Sequence, residues 1–134
     1  MLFGDEHVRR YEETGGEEGH DWLEGVPALV LTTTGRKTGK ERKSALIYQE
    51  HEGAYIVVAS KGGAPDHPGW YLNLVANSEV KVQVGAERFT AKAGTADDEE
   101  RALLWPKMTK VWPDYDVYAK KTDRKIPVVI LERV

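Results

Sequence analysis

Between Val26 and Ser60 the chain alternates apolar, β-branched runs with glycine-bearing turns too short to hold a crossover helix. "VPALVLTTTG" predicts a strand, "RKTGKE" a turn, "RKSALIYQEH" the antiparallel mate, "EG" a second turn and "AYIVVAS" a third strand. Parallel neighbours need a connection of a dozen or more residues, so these runs pair as hairpins. The third run is nearly continuous in apolar residues, which predicts burial on both faces. Further on, "EVKVQVG" sets Val80, Val82 and Val84 on one face and Lys81 and Gln83 on the other. Its mate "RFTAKAGT", across a "GAE" hairpin, turns Phe89, Ala91 and Ala93 inward, so the pair is wet on one face. With the closing "KIPVVILERV" the count reaches six strands, and the absence of βαβ spacing favours a small antiparallel barrel with helices (α+β) over a doubly wound sheet.

Three or four helical pieces complete the barrel. "HPGWYLNLVAN" predicts a short helix begun at Pro68 and closed at Asn77 in the left-handed conformation. Asp97 with Glu100 forms an N-cap pattern for "DDEERALLWPKMTKVW", with an interruption expected at Pro106 and a restart at Pro113 into "PDYDVYAKK". At the other end "DEHVRRYEE" can make a short helix, followed by the acidic, glycine-rich "TGGEEGHDWLEG". Residues 1–25 are therefore expected to be a mobile or partner-dependent lead-in, and residues 26–134 the folded domain.

A chain of 134 residues with 40% hydrophobic content builds one core. It has no cysteine, which excludes disulfides, thiolate metal sites and cysteine nucleophiles. No run at the start is apolar enough for a signal peptide or a membrane span, so the expectation is a soluble, cytoplasmic protein, with peripheral membrane contact left open. The formal charge of -3 argues against nucleic-acid binding and leaves only local anion sites. Positive charge is indeed local: Arg36, Lys37, Lys40, Arg42 and Lys43 crowd one turn, against Glu41 alone.

That turn, residues 35–43, has glycines that let backbone approach a ligand and side chains that fork onto phosphate or carboxylate oxygens. A solvated hairpin tip protected by lysines is the competing reading. The stretch "ASKGGAPDHPGWYLN" brings small residues, Lys61, Gly62 and Gly63 to a strand end just before a helix, with Trp70 and Tyr71 as apolar walls. Here the competing reading is a plain turn with Trp70 in the core beneath it. Two basic, glycine-bearing turns beside adjacent strands favour one shared pocket. Trp112, Tyr115 and Tyr118 recur every three residues on one helical face, suited either to the core or to a wall stacked on a planar ligand. His7, His20, His51 and His67 lack metal spacing, and Ser44 and Ser60 lack an evident base. Chemistry on such a chain falls to a bound organic cofactor.

"LTTTGRKTGKER", "VVASKGGAPDHPGWYLNL", "VQV", "WPKMTKVWPDYDVY" and "TDRKIPVVILE", in that order over about residues 26–132, resemble the deazaflavin-dependent nitroreductase family of actinobacteria. The resemblance implies a split β-barrel of the flavin-reductase, FMN-binding type. It implies binding of coenzyme F-420, an 8-hydroxy-5-deazaflavin that passes a hydride to an electrophilic acceptor such as a quinone, an enone or a nitroaromatic. It assigns the cofactor's anionic tail to Gly35, Arg36, Lys37, Lys40, Arg42 and Lys43. Its ring falls to Val58, Ala59, Ser60, Lys61, Gly62 and Gly63, walled by Pro68, Trp70 and Tyr71. Trp112, Tyr115 and Tyr118 fall on the acceptor side, with Ser60, Tyr115 and Tyr118 the candidates for holding or protonating the acceptor. A quinone or another conjugated carbonyl compound is the expected natural acceptor. Trp112 stands where related sequences often carry tyrosine, and its bulk bears on which acceptors fit.

Two other classes stay beside this reading: a carrier that binds F-420 without turnover, and a split-barrel relative that uses FMN or haem. The basic hairpin and the lack of a well-placed ligand histidine weigh against the latter. Monomer and homodimer both remain open.

Overall fold

The run predicted as one strand, "RKSALIYQEH", is bent at Tyr48 into β3 (Glu41–Ile47) and β4 (Gln49–His51) in the computed structural model, which describes residues 1–134. β3 pairs antiparallel with β2 (Val26–Thr34), from Ala28 opposite Ile47 to Thr34 opposite Glu41. β4 instead pairs with β5 (Ala54–Val58). From β2 the sheet continues through β6 (Glu79–Val84), β7 (Glu87–Thr95) and β8 (Val128–Arg133), and β8 returns to β5. The path β3-β2-β6-β7-β8-β5-β4 thus curls until its two ends meet through a single residue, Tyr48. No ladder joins β3 to β5, so the barrel is split along that line. The predicted antiparallel barrel is present. Its strands number eight rather than six because of the bend at Tyr48 and the short β1 (Asp21–Leu23), which pairs with β2.

β5 carries the burial that its continuous apolar run predicts. Val57 joins Leu29, Leu31, Val82, Val129 and Leu131 inside the barrel. Ile56 and Val58 pack on the other side against Leu104 and Met108 of α3 (Asp98–Val111) and Tyr115 of α4 (Asp114–Lys121). Each such fully buried aliphatic side chain contributes roughly 1.5–3 kcal/mol.

α3 opens with the predicted reciprocal cap: the Glu100 amide donates to Asp97 Oδ1 at 2.8 Å, and the Asp97 amide to Glu100 Oε1 at 3.0 Å. Pro106 does not interrupt it. Leu104 and Met108, on either side of the proline, are both buried in the core, and that burial holds the helix through the missing hydrogen bond. The break comes at Trp112, before Pro113.

α2 (Gly69–Ala76) forms as expected, but Asn77 is extended, at φ -142°, because the chain passes directly into β6. Gln83, predicted on the wet face, is buried, and its amide donates to the Gly85 carbonyl at 3.0 Å.

The segment expected to be a mobile lead-in is seated on the barrel. α1 (Gly4–Thr14) buries His7, Val8 and Tyr11, with Val8 and Tyr11 packed on Val30. The Gly85 amide donates to the Tyr11 hydroxyl at 2.7 Å, tying α1 to the β6–β7 hairpin. Gly16 lies so close to that hairpin that an added Cβ would sit 2.5 Å from the Gly85 Cα. No helix of the molecule is long and apolar enough to cross a membrane.

Candidate active site

A cavity of about 420 Å³ opens at the split in the barrel. One wall is β3 at Ala45, Leu46 and Ile47; facing it are Val58 at the end of β5 and the turn of Ser60, Lys61 and Gly62. Pro68, Trp70, Trp112, Tyr115 and Tyr118 also line it. The remaining side comes from the N-terminal segment, through Leu2, Phe3, His7 and Trp22, and most of the lining is hydrophobic. The Trp22 and Trp112 rings meet there at 5.5 Å between centroids.

The turn after β5 is shaped by three consecutive left-handed residues, Lys61, Gly62 and Gly63, at φ 46°, 62° and 84°. Only glycine fits at the third, because a Cβ on Gly63 would come within 2.7 Å of the Tyr118 carbonyl on α4. Arg124 fastens the same loop from outside. Its guanidinium donates to the carbonyls of Ser60 at 2.6 Å, Ala64 at 2.8 Å and Ala59 at 3.2 Å. A fourth bond, at 3.0 Å, reaches His67 Nδ1, which must accept because arginine only donates. Burial, and then the Arg124 charge, push the His67 imidazolium below its ordinary range. Burial, with a smaller contribution from Tyr118, pushes the Tyr115 phenol well above its ordinary value, so that it stays a neutral hydrogen-bond donor. The Tyr118 hydroxyl accepts from the Trp112 indole at 3.4 Å.

Trp70 also belongs to a second cleft, of about 440 Å³, lined by Gly35, Arg36, Lys37, Arg42, Lys43 and Asn73 among others and by no carboxylate. Asn73 organises it: its Oδ1 accepts from the Arg36 amide at 3.1 Å and the Arg36 guanidinium at 2.9 Å, while its Nδ2 donates to Thr33 Oγ1 at 3.2 Å. Lys43 is tied to Glu12 of α1 at 2.8 Å. The arrangement suits an anion, held by four cationic side chains in water-accessible surroundings.

The structure gathers Val58, Ser60, Lys61, Gly62, Pro68, Trp70, Trp112, Tyr115 and Tyr118 around the first cavity, and Gly35, Arg36, Lys37, Arg42 and Lys43 around the second. Lys40, Ala59, Gly63 and Tyr71 line neither. Lys40 is exposed, and its carbonyl closes the hairpin by accepting from the Gly35 amide at 2.7 Å. Ala59 is fully buried, and Gly63 faces α4. Tyr71 turns toward β7, where its hydroxyl pairs with Thr95 Oγ1 at 2.8 Å. Sequence reasoning missed Phe3, His7 and Trp22, whose aromatic character stood out in an otherwise acidic segment, and Asn73, a polar residue inside the apolar "YLNLVA". No cluster of three His, Cys, Asp or Glu side chains is placed to hold a metal ion.

The split barrel thus carries an apolar cavity beside a cleft lined by four cationic side chains. Residues 4–133 match the family model described as F-420H(2)-dependent quinone reductase, and the chain belongs to that family. The match takes in the N-terminal segment, which the sequence resemblance had left out. An F-420H(2)-dependent quinone reductase of Mycobacterium tuberculosis is 43% identical over 130 residues, which cover 95% of this chain and 87% of that protein. A solved F-420-H(2)-dependent reductase is 45% identical with a TM-score of 0.73, covering 79% of this chain and 94% of its own. A solved domain-swapped dimer is 41% identical with a TM-score of 0.77, covering 93% and 92% of the two chains.

Proposed function

We propose that this chain reduces a quinone with coenzyme F-420 held across Trp70, its ring in the apolar cavity and its anionic tail on the basic cleft. The observation that carries the assignment is the shared tryptophan: two cavities of opposite chemistry, each of a size that suits part of an extended ligand, meet at one side chain. The residues fit such a group. Arg36, Lys37, Arg42 and Lys43 supply charge for a phosphate and carboxylates, with Arg36 oriented by Asn73. Val58, Ser60, Lys61, Gly62, Pro68 and Trp70 line the apolar cavity in which the ring would lie.

Bound and reduced, the deazaflavin supplies a hydride. The chain's own work is to exclude water, orient the acceptor and meet the charge that develops on its oxygen. The touching Trp22 and Trp112 rings give the acceptor side an apolar wall. Tyr115, Tyr118 and Ser60 offer hydroxyls to the acceptor oxygen, and a phenol kept neutral by burial donates a hydrogen bond without losing its proton.

Fluorescence titration with oxidised F-420 beside FMN and haem, followed by menadione on the reduced complex, tests this reading. The expected result is saturable binding of F-420 alone with quinone-dependent reoxidation. Binding without reoxidation would point to a carrier, and preference for FMN or haem would overturn the cofactor assignment.

A further inference from the structure

We infer that His7, on the N-terminal helix, is the catalytic acid that hands the acceptor oxygen its proton, a role that rests on the reductase reading above. His7 is 5% exposed and lines the apolar cavity together with Tyr115 and Tyr118. Its Nε2 lies 2.9 Å from the Gly19 carbonyl. A carbonyl only accepts, so Nε2 carries the proton of the neutral ring and Nδ1 is left with a lone pair. Gly19, at φ 109°, allows that approach: a Cβ there would sit 2.9 Å from His7 Cδ2. The Trp22 ring lies nearly parallel to the imidazole, 21° apart with 6.3 Å between centroids, which fixes its plane. The ring is therefore held in one tautomer by a backbone group, and its Nδ1 makes no hydrogen bond within the protein.

No other group of the lining has the acidity for this task. The other titratable side chains around the cavity are Tyr115, Tyr118 and Lys61, and Tyr11 stands beside His7 on its own helix. Phenols and ammonium groups ordinarily hold their protons near pH 10, and the hydroxyl of Ser60 is weaker still. Imidazole is the side chain whose charge ordinarily changes near neutral pH, where a general acid is most effective.

The step balances as follows. The quinone takes a hydride, hence two electrons and one hydrogen, and becomes the hydroquinone monoanion. The Nδ1–H bond of the His7 imidazolium breaks and an O–H bond forms, giving the neutral hydroquinone. His7 is left neutral with its proton on Nε2, and water returns it to the imidazolium.

His7→Gln separates this role from packing, because its amide can still donate to the Gly19 carbonyl but holds no transferable proton. The expected result is a fall in kcat with menadione of about 100-fold, a pH dependence of kcat that differs from that of the wild type, and F-420 affinity within about twofold of wild type. Imidazole added to His7→Ala should restore turnover. Independently of turnover, nitrogen-15 NMR of the cofactor-free protein should show neutral His7 protonated on Nε2. The assignment is overturned by a His7→Gln protein with wild-type kcat and pH profile. It is equally overturned by parallel loss of F-420 affinity and turnover without imidazole rescue, or by a neutral ring protonated on Nδ1. A wild type that binds F-420 but is never reoxidised by menadione would fail at the reductase reading instead, while the NMR result would still report on His7.

Discussion

The two cavities that meet at Trp70 are built on different plans. The basic cleft is local: most of its charge lies on one hairpin, residues 35–43, and its remaining wall is a single short helix. The apolar cavity is assembled from segments far apart in sequence, around residues 2–22, 45–47, 58–70 and 112–118. On the proposed reading the first holds the cofactor tail by charge in contact with water and is therefore open to salt, while the second takes ring and acceptor by shape and depends on the tertiary structure. Mutations on the hairpin and in the apolar cavity should accordingly have different signatures.

The largest effect comes from Gly63→Ala. A Cβ within 2.7 Å of the Tyr118 carbonyl, at a backbone φ of 84°, should cost about 2–4 kcal/mol of stability in urea unfolding. It disturbs both α4, which carries Tyr115 and Tyr118 on the acceptor side, and the Lys61–Gly63 turn beside the proposed ring site, so menadione turnover and F-420 affinity should fall together. Lost turnover with F-420 affinity intact would mean that the turn does not meet the cofactor ring.

Tyr115→Phe, which removes one hydroxyl and little volume, should lower kcat about 10- to 100-fold with F-420 affinity unchanged by fluorescence. If binding is what falls, Tyr115 belongs to the cofactor's wall. On the basic side, Lys37→Glu should raise the F-420 Kd roughly fivefold at low salt and by less at about 0.5 M salt, leaving kcat at saturation intact. A salt-independent change would contradict a water-accessible anion site.

The smallest effect concerns the loop of residues 59–67, which borders the apolar cavity. His67 has its pKa lowered in the folded protein, so between that value and the ordinary value near 6.5 the unfolded chain binds the extra proton. Its contribution to stability is full above the ordinary value and is lost as pH falls through the lowered one. The melting temperature should drop slightly over that window, and His67→Gln should remove the drop.

The same local and non-local contrast governs what could be read from the sequence. The Asp97–Glu100 cap, the doubly buried β5 and the basic hairpin were legible because each is decided by residues close together in the chain. The fate of Pro106 was not, since burial of Leu104 and Met108 against β5 and β8 outweighs the local cost of a proline. The bend at Tyr48 was equally hidden: nothing in "ALIYQEH" marks the point where a strand changes partners, because the turn is imposed by closure of the sheet. His7 and Trp22 were set aside with an acidic, glycine-rich segment whose order depends on a barrel it meets only after folding. Arg124, which fastens residues 59–67, sits some 60 positions from most of its partners and carries no local signature.

The line between β3 and β5 has a further meaning. β4 pairs with β5 only from Ala54 to Ile56, so Val57 and Val58 are laddered on the β8 side alone, while β3 has a ladder only toward β2. The barrel is one rung set short at the place where the cavity opens. A flat heterocycle whose rim alternates N–H and C=O groups is, in hydrogen-bonding terms, a stand-in for the missing strand, and seating it there turns an edge into an interior. Amide exchange at Ala45–Ile47 and Val57–Val58 should then slow when cofactor is added, in proportion to its concentration over Kd, as though the protein had gained a piece of its own fold.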